Sequence, residues 1–188
     1  MNSEQPDKIT HNELIELGRK WLIKPYNSAA DYGHSGCSVI LTEICAVPRS
    51  GEQPDVLGFC SDKSILIECK ASRADFLADK NKPFRVAPEM GVGCQRWYMA
   101  PQGLIKENEV PPKWGLLEVT HGRRITPSKK PEPQEKSWRN EMVMIVSMLR
   151  RLNINPDGHI AIKRYDPPEQ LGFKPSKNRA TFYVGGQA

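Results

Sequence analysis

The part of this chain that most constrains its fold is residues 54–70, Pro-Asp-Val-Leu-Gly-Phe-Cys-Ser-Asp-Lys-Ser-Ile-Leu-Ile-Glu-Cys-Lys. Two β-type runs, 54–60 and 64–70, flank a polar turn, which reads as a hairpin. With the turn centred between Ser61 and Asp62, Asp55 falls opposite Glu68. Side chains alternate along a strand, so Lys70 shares the face of Glu68. Val56, Ile65, Ile67 and Cys69 point the other way and form an apolar face. Opposed carboxylates repel and weaken strand pairing, so their placement calls for a cation between them. Mg²⁺, or Mn²⁺ in its stead, matches two hard oxygen ligands and keeps waters for a phosphate substrate. Lys70 would orient an attacking water or steady developing negative charge. The plain alternative is a hairpin whose charged ends meet solvent.

The surrounding segments predict a mixed α/β fold. Thr10 and Glu13 have capping-box spacing, and Leu14, Ile15, Leu17, Trp21 and Leu22 supply the apolar stripe of a helix that ends before Pro25. Residues 39–47 are rich in β-branched types and predict a first strand. Residues 72–81 predict a helix with Phe76 and Leu77 facing inward. Residues 96–100 and 114–119 predict a fourth and a fifth strand. Trp97 and Tyr98 are adjacent on one strand, so at most one faces the site and the other belongs to the core. Gly91-Val-Gly93 reads either as a mobile lip over the site or as a plain connection.

Beyond Thr120 the composition changes. Residues 121–136 carry Pro127, Pro131 and Pro133 among basic residues and read as a linker between a 1–120 core and a 137–188 extension. In that extension residues 137–152 predict a helix with Met142, Ile145, Val146, Leu149 and Leu152 on one face, followed by an irregular tail. The chain carries a net charge of +5. Residues 121–151 account for that surplus, so they read as a basic arm that lends salt-sensitive phosphate affinity. Arg123, Arg124, Lys129 and Lys130 are its candidate contacts, and Arg73, Lys80, Lys82 and Arg85 are candidates beside the hairpin.

With 38% hydrophobic and 26% charged residues the composition suits an ordinary soluble core. No apolar run is long enough for a membrane span, and residues 1–8 lack the apolar stretch of a signal peptide. The expectation is therefore a cytoplasmic protein with no membrane partner. Cys37, Cys45, Cys60, Cys69 and Cys94 are odd in number and contain no C-x-x-C spacing, so reduced thiols are expected. His11, His34, His121 and His159 are scattered and form no ligand pair in the sequence.

Pro54-Asp55 with Glu68-Cys-Lys70 resembles the signature of the PD-(D/E)XK nuclease superfamily. Residues 70–80, Lys-Ala-Ser-Arg-Ala-Asp-Phe-Leu-Ala-Asp-Lys, resemble the segment that follows the catalytic strand in its MmcB-like DNA-repair and phage-encoded relatives. Leu41-Thr-Glu-Ile44, Arg96-Trp-Tyr-Met-Ala-Pro101 and Trp114-Gly-Leu-Leu-Glu-Val119 add to the likeness, which covers residues 36–125. It implies a restriction-endonuclease-like αβββαβ core, a mixed sheet flanked by helices, with a C-terminal helical extension. It implies a Mg²⁺-dependent endonuclease that hydrolyses DNA phosphodiester bonds, with Asp55 and Glu68 as metal ligands and Lys70 as the catalytic lysine. Glu43 resembles an ancillary acid of the metal site, and Glu13 or Glu16 would be a further acid from the first helix. Asp75, Asp79 and Lys80 match the family segment but suit helix packing equally well. The implied setting is a bacterial or phage-infected cell, with DNA, or alternatively RNA, as substrate and a repair or phage protein as a further partner. The alternative is a non-cleaving DNA-binding or repair-partner protein on a nuclease fold.

Overall fold

The computed structural model describes residues 8–25, 36–43 and 51–151. The chain divides between Met144 and Ile145 into two compact units. The first holds every element needed for the site.

Helix α1 (His11–Ile23) starts at the expected capping box. The Thr10 N–H donates to Glu13 Oε2 at 2.8 Å, and the Glu13 N–H donates to Thr10 Oγ1 at 3.2 Å. Leu14, Ile15, Gly18 and Leu22 are its buried residues. The sheet has six strands in chain order: β1 (Val39–Thr42), β2 (Val56–Phe59), β3 (Ser64–Cys69), β4 (Gln95–Pro101), β5 (Trp114–Val119) and β6 (Ile125–Lys129). β1, β2 and β3 pair antiparallel, β3, β4 and β5 parallel, and β6 returns antiparallel to β5. Val56 stands opposite Ile67 and Phe59 opposite Ser64, which is the register expected of the hairpin.

The alternation along these strands sorts the two faces. Val56, Ile65, Ile67, Cys69, Trp97, Met99, Leu117 and Val119 form one core with Leu14, Ile15 and Leu22 of α1. On the other face lie helices α2 (Arg73–Asp79) and α3 (Pro83–Val86). Phe76 of α2 meets Tyr98 edge-on at 5.2 Å, and Tyr98 stacks on Trp114 at 4.5 Å. Trp97 thus belongs to the core and Tyr98 to the site side, as the period of two requires. The sheet is open, mixed and flanked by helices. Among the described residues no helix is long and apolar enough to cross a membrane.

Gly115 fits because the Trp97 ring occupies the space of a side chain there. A Cβ at position 115 would lie 2.4 Å from Trp97 Cε3, and Trp97 is fully buried. Gly115→Ala is expected to lower stability by about 1–3 kcal/mol through overpacking. Urea denaturation would read it, and an unchanged midpoint would mean that the ring has room to yield.

Several expectations differ from the structure. Residues 121–136 do not form a separate linker, because 125–129 supply β6. Pro127 is tolerated there since β6 is an edge strand with one side unpaired. The chain then runs back along the sheet, with the Glu132 N–H donating to the Lys113 carbonyl at 3.0 Å and the Gln134 N–H to the Cys94 carbonyl at 2.9 Å. The first compact unit accordingly continues past residue 120 to Met144. Leu77 is 47% exposed, because α2 has only seven residues and turns Phe76 inward.

Helix α4 (Trp138–Arg151) begins near its expected start but does not bury the expected face. Met142 is 60% exposed, whereas Asn140, Glu141 and Met144 are buried. Glu141 explains the choice. Its carboxylate accepts from Ser64 Oγ at 2.6 Å, the Gly93 N–H at 2.9 Å and Lys136 Nζ at 2.8 Å. The end of the expected first strand (44–47), Leu152 and the 153–188 tail lie outside the described residues.

Candidate active site

The hairpin register places Asp55 one residue before β2, opposite Glu68 on β3. Backbone contacts fix Asp55 there. Its carbonyl accepts from the Glu43 N–H at 3.0 Å, and its Oδ2 accepts from the Cys69 N–H at 2.7 Å. Its Oδ1 lies 3.5 Å from His11 Nε2, at the first turn of α1. Burial and, second, the neighbouring Glu68 charge push the Asp55 carboxyl up to about 6.

Glu68 is 1% exposed, and its two oxygens have different surroundings. Oε2 faces cations: Arg85 at 3.1 Å, Lys70 at 3.3 Å and Lys82 at 3.8 Å. Oε1 is buried and accepts no hydrogen bond from the described residues. A buried charged oxygen left without a partner is costly, of order 1–3 kcal/mol or more.

Lys70 follows Glu68 on the same face. Its Nζ lies 3.1 Å from Asp79 Oδ1 and 3.8 Å from Asp75 Oδ1. Burial works against its charge, but Glu68, Asp79 and Asp75 together hold its pKa above the usual lysine value. These carboxylates favour the ammonium form of Lys70, which donates to Glu68 Oε2 and Asp79 Oδ1.

Asp79, from the last turn of α2, is the hub of the charge network. It accepts from Arg85 Nε at 2.6 Å, the Tyr98 hydroxyl at 2.7 Å and Lys70 Nζ at 3.1 Å, and pairs with Lys82 at 2.7 Å. Burial opposes its charge, yet Arg85, Lys70 and Lys82 hold its carboxyl well below the usual range. The Arg85 side chain, only 3% exposed, also meets Glu52 at 3.1 Å and lies over the Trp114 ring at 4.6 Å. Glu52 is fully buried and accepts from the Val92 N–H at 2.8 Å. Burial pushes its carboxyl up to about 7 against the pull of Arg85.

The structure brings Asp55, Glu68 and Lys70 together and adds Asp79, Arg85, Glu52, Tyr98 and His11. Glu43 lends its backbone N–H to Asp55 from a left-handed conformation (φ 46°), with its side chain exposed. Among the described residues no group of three or more His, Cys, Asp or Glu is arranged to hold a metal ion. Glu43 thus does not complete a three-ligand set. Glu13 caps α1 and pairs with Arg123 at 2.8 Å, while Glu16 pairs with Arg19 at 3.0 Å.

Two carboxylates still fit Mg²⁺ or Mn²⁺, which bind through one or two acids and retain waters. The unpartnered Oε1 of Glu68 is the atom that such an ion would satisfy. Asp55 is the acid opposite it.

The expected phosphate contacts separate. Lys80 is exposed, and Lys82 is half-exposed at the rim of the charge network. Arg73 is engaged by Glu109 through its two terminal guanidinium nitrogens and donates to the Leu104 carbonyl at 3.3 Å. The burial of Arg85 does not fit a surface phosphate contact; its guanidinium neutralises acids instead. In the basic segment, Arg124 and Lys130 are exposed, and Lys129 Nζ donates to the carbonyls of Val110 and Pro111 at 2.9 and 3.2 Å. Gly91-Val-Gly93 is a packed connection, with Val92 fully buried.

Glu52 and His11 carry no sequence signal, because their neighbours come from distant segments. Arg85 looks like any basic residue until burial is known.

No family model matches this chain, and no curated protein does. Among solved structures it is similar to the SPO1766 protein of unknown function from Silicibacter pomeroyi. The two are 26% identical, with a TM-score of 0.45, over 64% of this chain and 82% of that one.

Proposed function

We propose that this chain is a divalent-metal-dependent nuclease of the PD-(D/E)XK kind, hydrolysing phosphodiester bonds in DNA. The observation that carries this reading is Asp55 opposite Glu68 at the open end of the hairpin, with a buried Glu68 oxygen that accepts no hydrogen bond from the described residues. Asp55 and Glu68 would hold Mg²⁺, which when bound supplies a polarised phosphate oxygen and an activated water. Lys70, kept charged by Asp79 and Asp75, donates to the phosphate as negative charge develops on it. Tyr98 and Arg85 fix Asp79 and so fix Lys70. Exposed Lys80 and half-exposed Lys82 supply affinity for the backbone that falls as salt rises.

A second reading has its own support. Glu68 Oε2 and Asp79 are already neutralised by Arg85, Lys70 and Lys82, which suits a nuclease fold that grips DNA or a repair partner without cutting it. Incubation with supercoiled, linear and single-stranded DNA and with RNA, in Mg²⁺, Mn²⁺ or EDTA, separates the two. The nuclease reading expects metal-dependent cleavage that falls roughly 100-fold or more in Asp55→Ala and in Lys70→Ala. Variants that cut like wild type would reject the site. Salt-sensitive binding without cleavage would favour the second reading.

A further inference from the structure

Away from the charge network, two sulfur atoms from segments 23 residues apart stand 2.7 Å from each other: Cys37 Sγ and Cys60 Sγ. That separation is inside ordinary non-bonded contact and not far beyond the ~2.05 Å of a disulfide bond. We propose that Cys37 and Cys60 are a disulfide-forming pair, closed by a hydroperoxide and reopened by thiols.

The surrounding backbone holds both residues in place for this. The Cys37 N–H donates to the Leu22 carbonyl at the end of α1 at 2.8 Å. Its neighbour Ser38 donates to the Phe59 carbonyl at 2.9 Å, one residue from Cys60. The Cys60 N–H donates to the Lys63 carbonyl at 2.8 Å across the β2–β3 turn. Gly58 makes room for the Cys37 thiol, since a Cβ there would lie 2.8 Å from its sulfur. Bond formation therefore needs a small side-chain adjustment and no rearrangement of the sheet.

The two thiols are unequal, as sequential oxidation requires. Cys37 is buried, whereas Cys60 is partly exposed and open to a small oxidant. The contact with Cys37 and the nearby Lys63 charge outweigh burial and shift Cys60 toward the thiolate, the attacking form. That thiolate attacks one peroxide oxygen, the O–O bond breaks, and Cys60 becomes a sulfenic acid with release of hydroxide. The Cys37 sulfur then displaces the sulfenic hydroxyl, which leaves as water with the Cys37 proton. Overall two thiols lose two electrons and two protons, and one hydrogen peroxide becomes two waters. The other described thiols are placed differently. Cys69 is fully buried, and Cys94 faces the Ser64 carbonyl at 3.3 Å.

The pair does not depend on the proposed nuclease activity, so its test is separate. The reduced full-length chain is exposed to a few equivalents of hydrogen peroxide, alkylated, and mapped by peptide mass spectrometry. The expected result is one crosslink joining the Cys37 and Cys60 peptides, about 2 Da lighter than the two free thiols and reversed by dithiothreitol. The crosslinked form should melt about 5–10 °C higher, because the bond closes the 37–60 segment in the unfolded chain. Cys37→Ser should leave a Cys60 sulfenic acid that dimedone captures. The proposal is overturned if Cys60 bonds to Cys45 or Cys94 instead, or if it proceeds to a sulfinic acid while Cys37 stays free. A crosslinked form that melts lower than the reduced one would show that the native geometry does not accept the bond, and would overturn it as well.

Discussion

Arg85→Met is expected to destabilise the fold by about 3–5 kcal/mol, because it strands buried acids without their counter-charge. Arg85 bonds Asp79 at 2.6 Å, Glu52 at 3.1 Å and Glu68 at 3.1 Å from a side chain that solvent scarcely reaches. Lys70 and Lys82 still neutralise part of Asp79 and Glu68, and the Arg96 charge still acts on Glu52, whose direct Arg85 pairing at 3.1 Å is lost. The deficit should depend on pH. Burial already raises the Glu52 carboxyl to about 7, and without Arg85 it rises further. A folded-state pKa above the unfolded value of 4.5 means that the native state binds more protons through that window. Stability then falls as pH rises from 4.5 through the folded pKa, and falls further in the variant. Urea denaturation at pH 8 and pH 5 reads this directly, with the smaller deficit at pH 5. Adding Glu52→Gln to Arg85→Met should recover part of the loss at pH 8. A deficit under 1 kcal/mol, equal at both pH values, would mean that the guanidinium is not the counter-charge it is taken for.

The hairpin and its acids were legible because a tight turn and a period of two leave one register, and Asp55 and Glu68 follow from it. The same alternation put Trp97 and Tyr98 on opposite faces, but only the fold shows that Trp97 is the core residue and Tyr98 the one beside Asp79. The cap of α1 was legible because Thr10 and Glu13 satisfy each other within three residues. What was not legible depends on partners distant in sequence. Glu52 and Arg85 are 33 residues apart, and neither pattern nor composition marks them as an ion pair. The inward face of α4 is chosen by Glu141, whose partner Ser64 lies 77 residues away. Hydrophobic spacing alone selects Met142 and so fails there. β6 was hidden by Pro127, which a strand accepts at a sheet edge, and by the basic residues that flank it.

The basic surplus also changed meaning. Arg123 is bound to Glu13 and Lys129 to two carbonyls, so these two expected phosphate contacts are structural. Around Glu68 the cations serve first to neutralise acids, with Arg85 and Lys70 inside the network and Lys82 at its rim. Asp55 stands beside that network, and burial together with the Glu68 charge outweighs the pull of His11 and Lys70 on its carboxyl.

That imbalance gives Asp55→Asn opposite effects on stability and on chemistry. The asparagine carbonyl can still accept the Cys69 N–H that now bonds Asp55 Oδ2 at 2.7 Å. The variant should therefore keep the local backbone while losing the charge. In the wild type, burial and Glu68 raise the Asp55 carboxyl from 3.8 to about 6, so ionising it above that pH costs stability. The sign follows from proton binding: between pH 3.8 and about 6 the folded chain holds the proton that the unfolded chain has released. Wild-type stability declines across that window, and the variant lacks the decline. Asp55→Asn should thus be more stable than wild type by about 1–3 kcal/mol at pH 8, with the gain vanishing near pH 4. On the proposed nuclease reading, Mg²⁺ raises the melting temperature of the wild type but not of Asp55→Asn, and the variant loses metal-dependent cleavage. A purely structural Asp55 predicts the reverse, a variant less stable at pH 8 because a hydrogen-bonded, His11-paired carboxylate has been weakened. Denaturation at pH 4, 6 and 8, with and without Mg²⁺, separates an acid kept for its chemistry at a cost in stability from one kept for the fold.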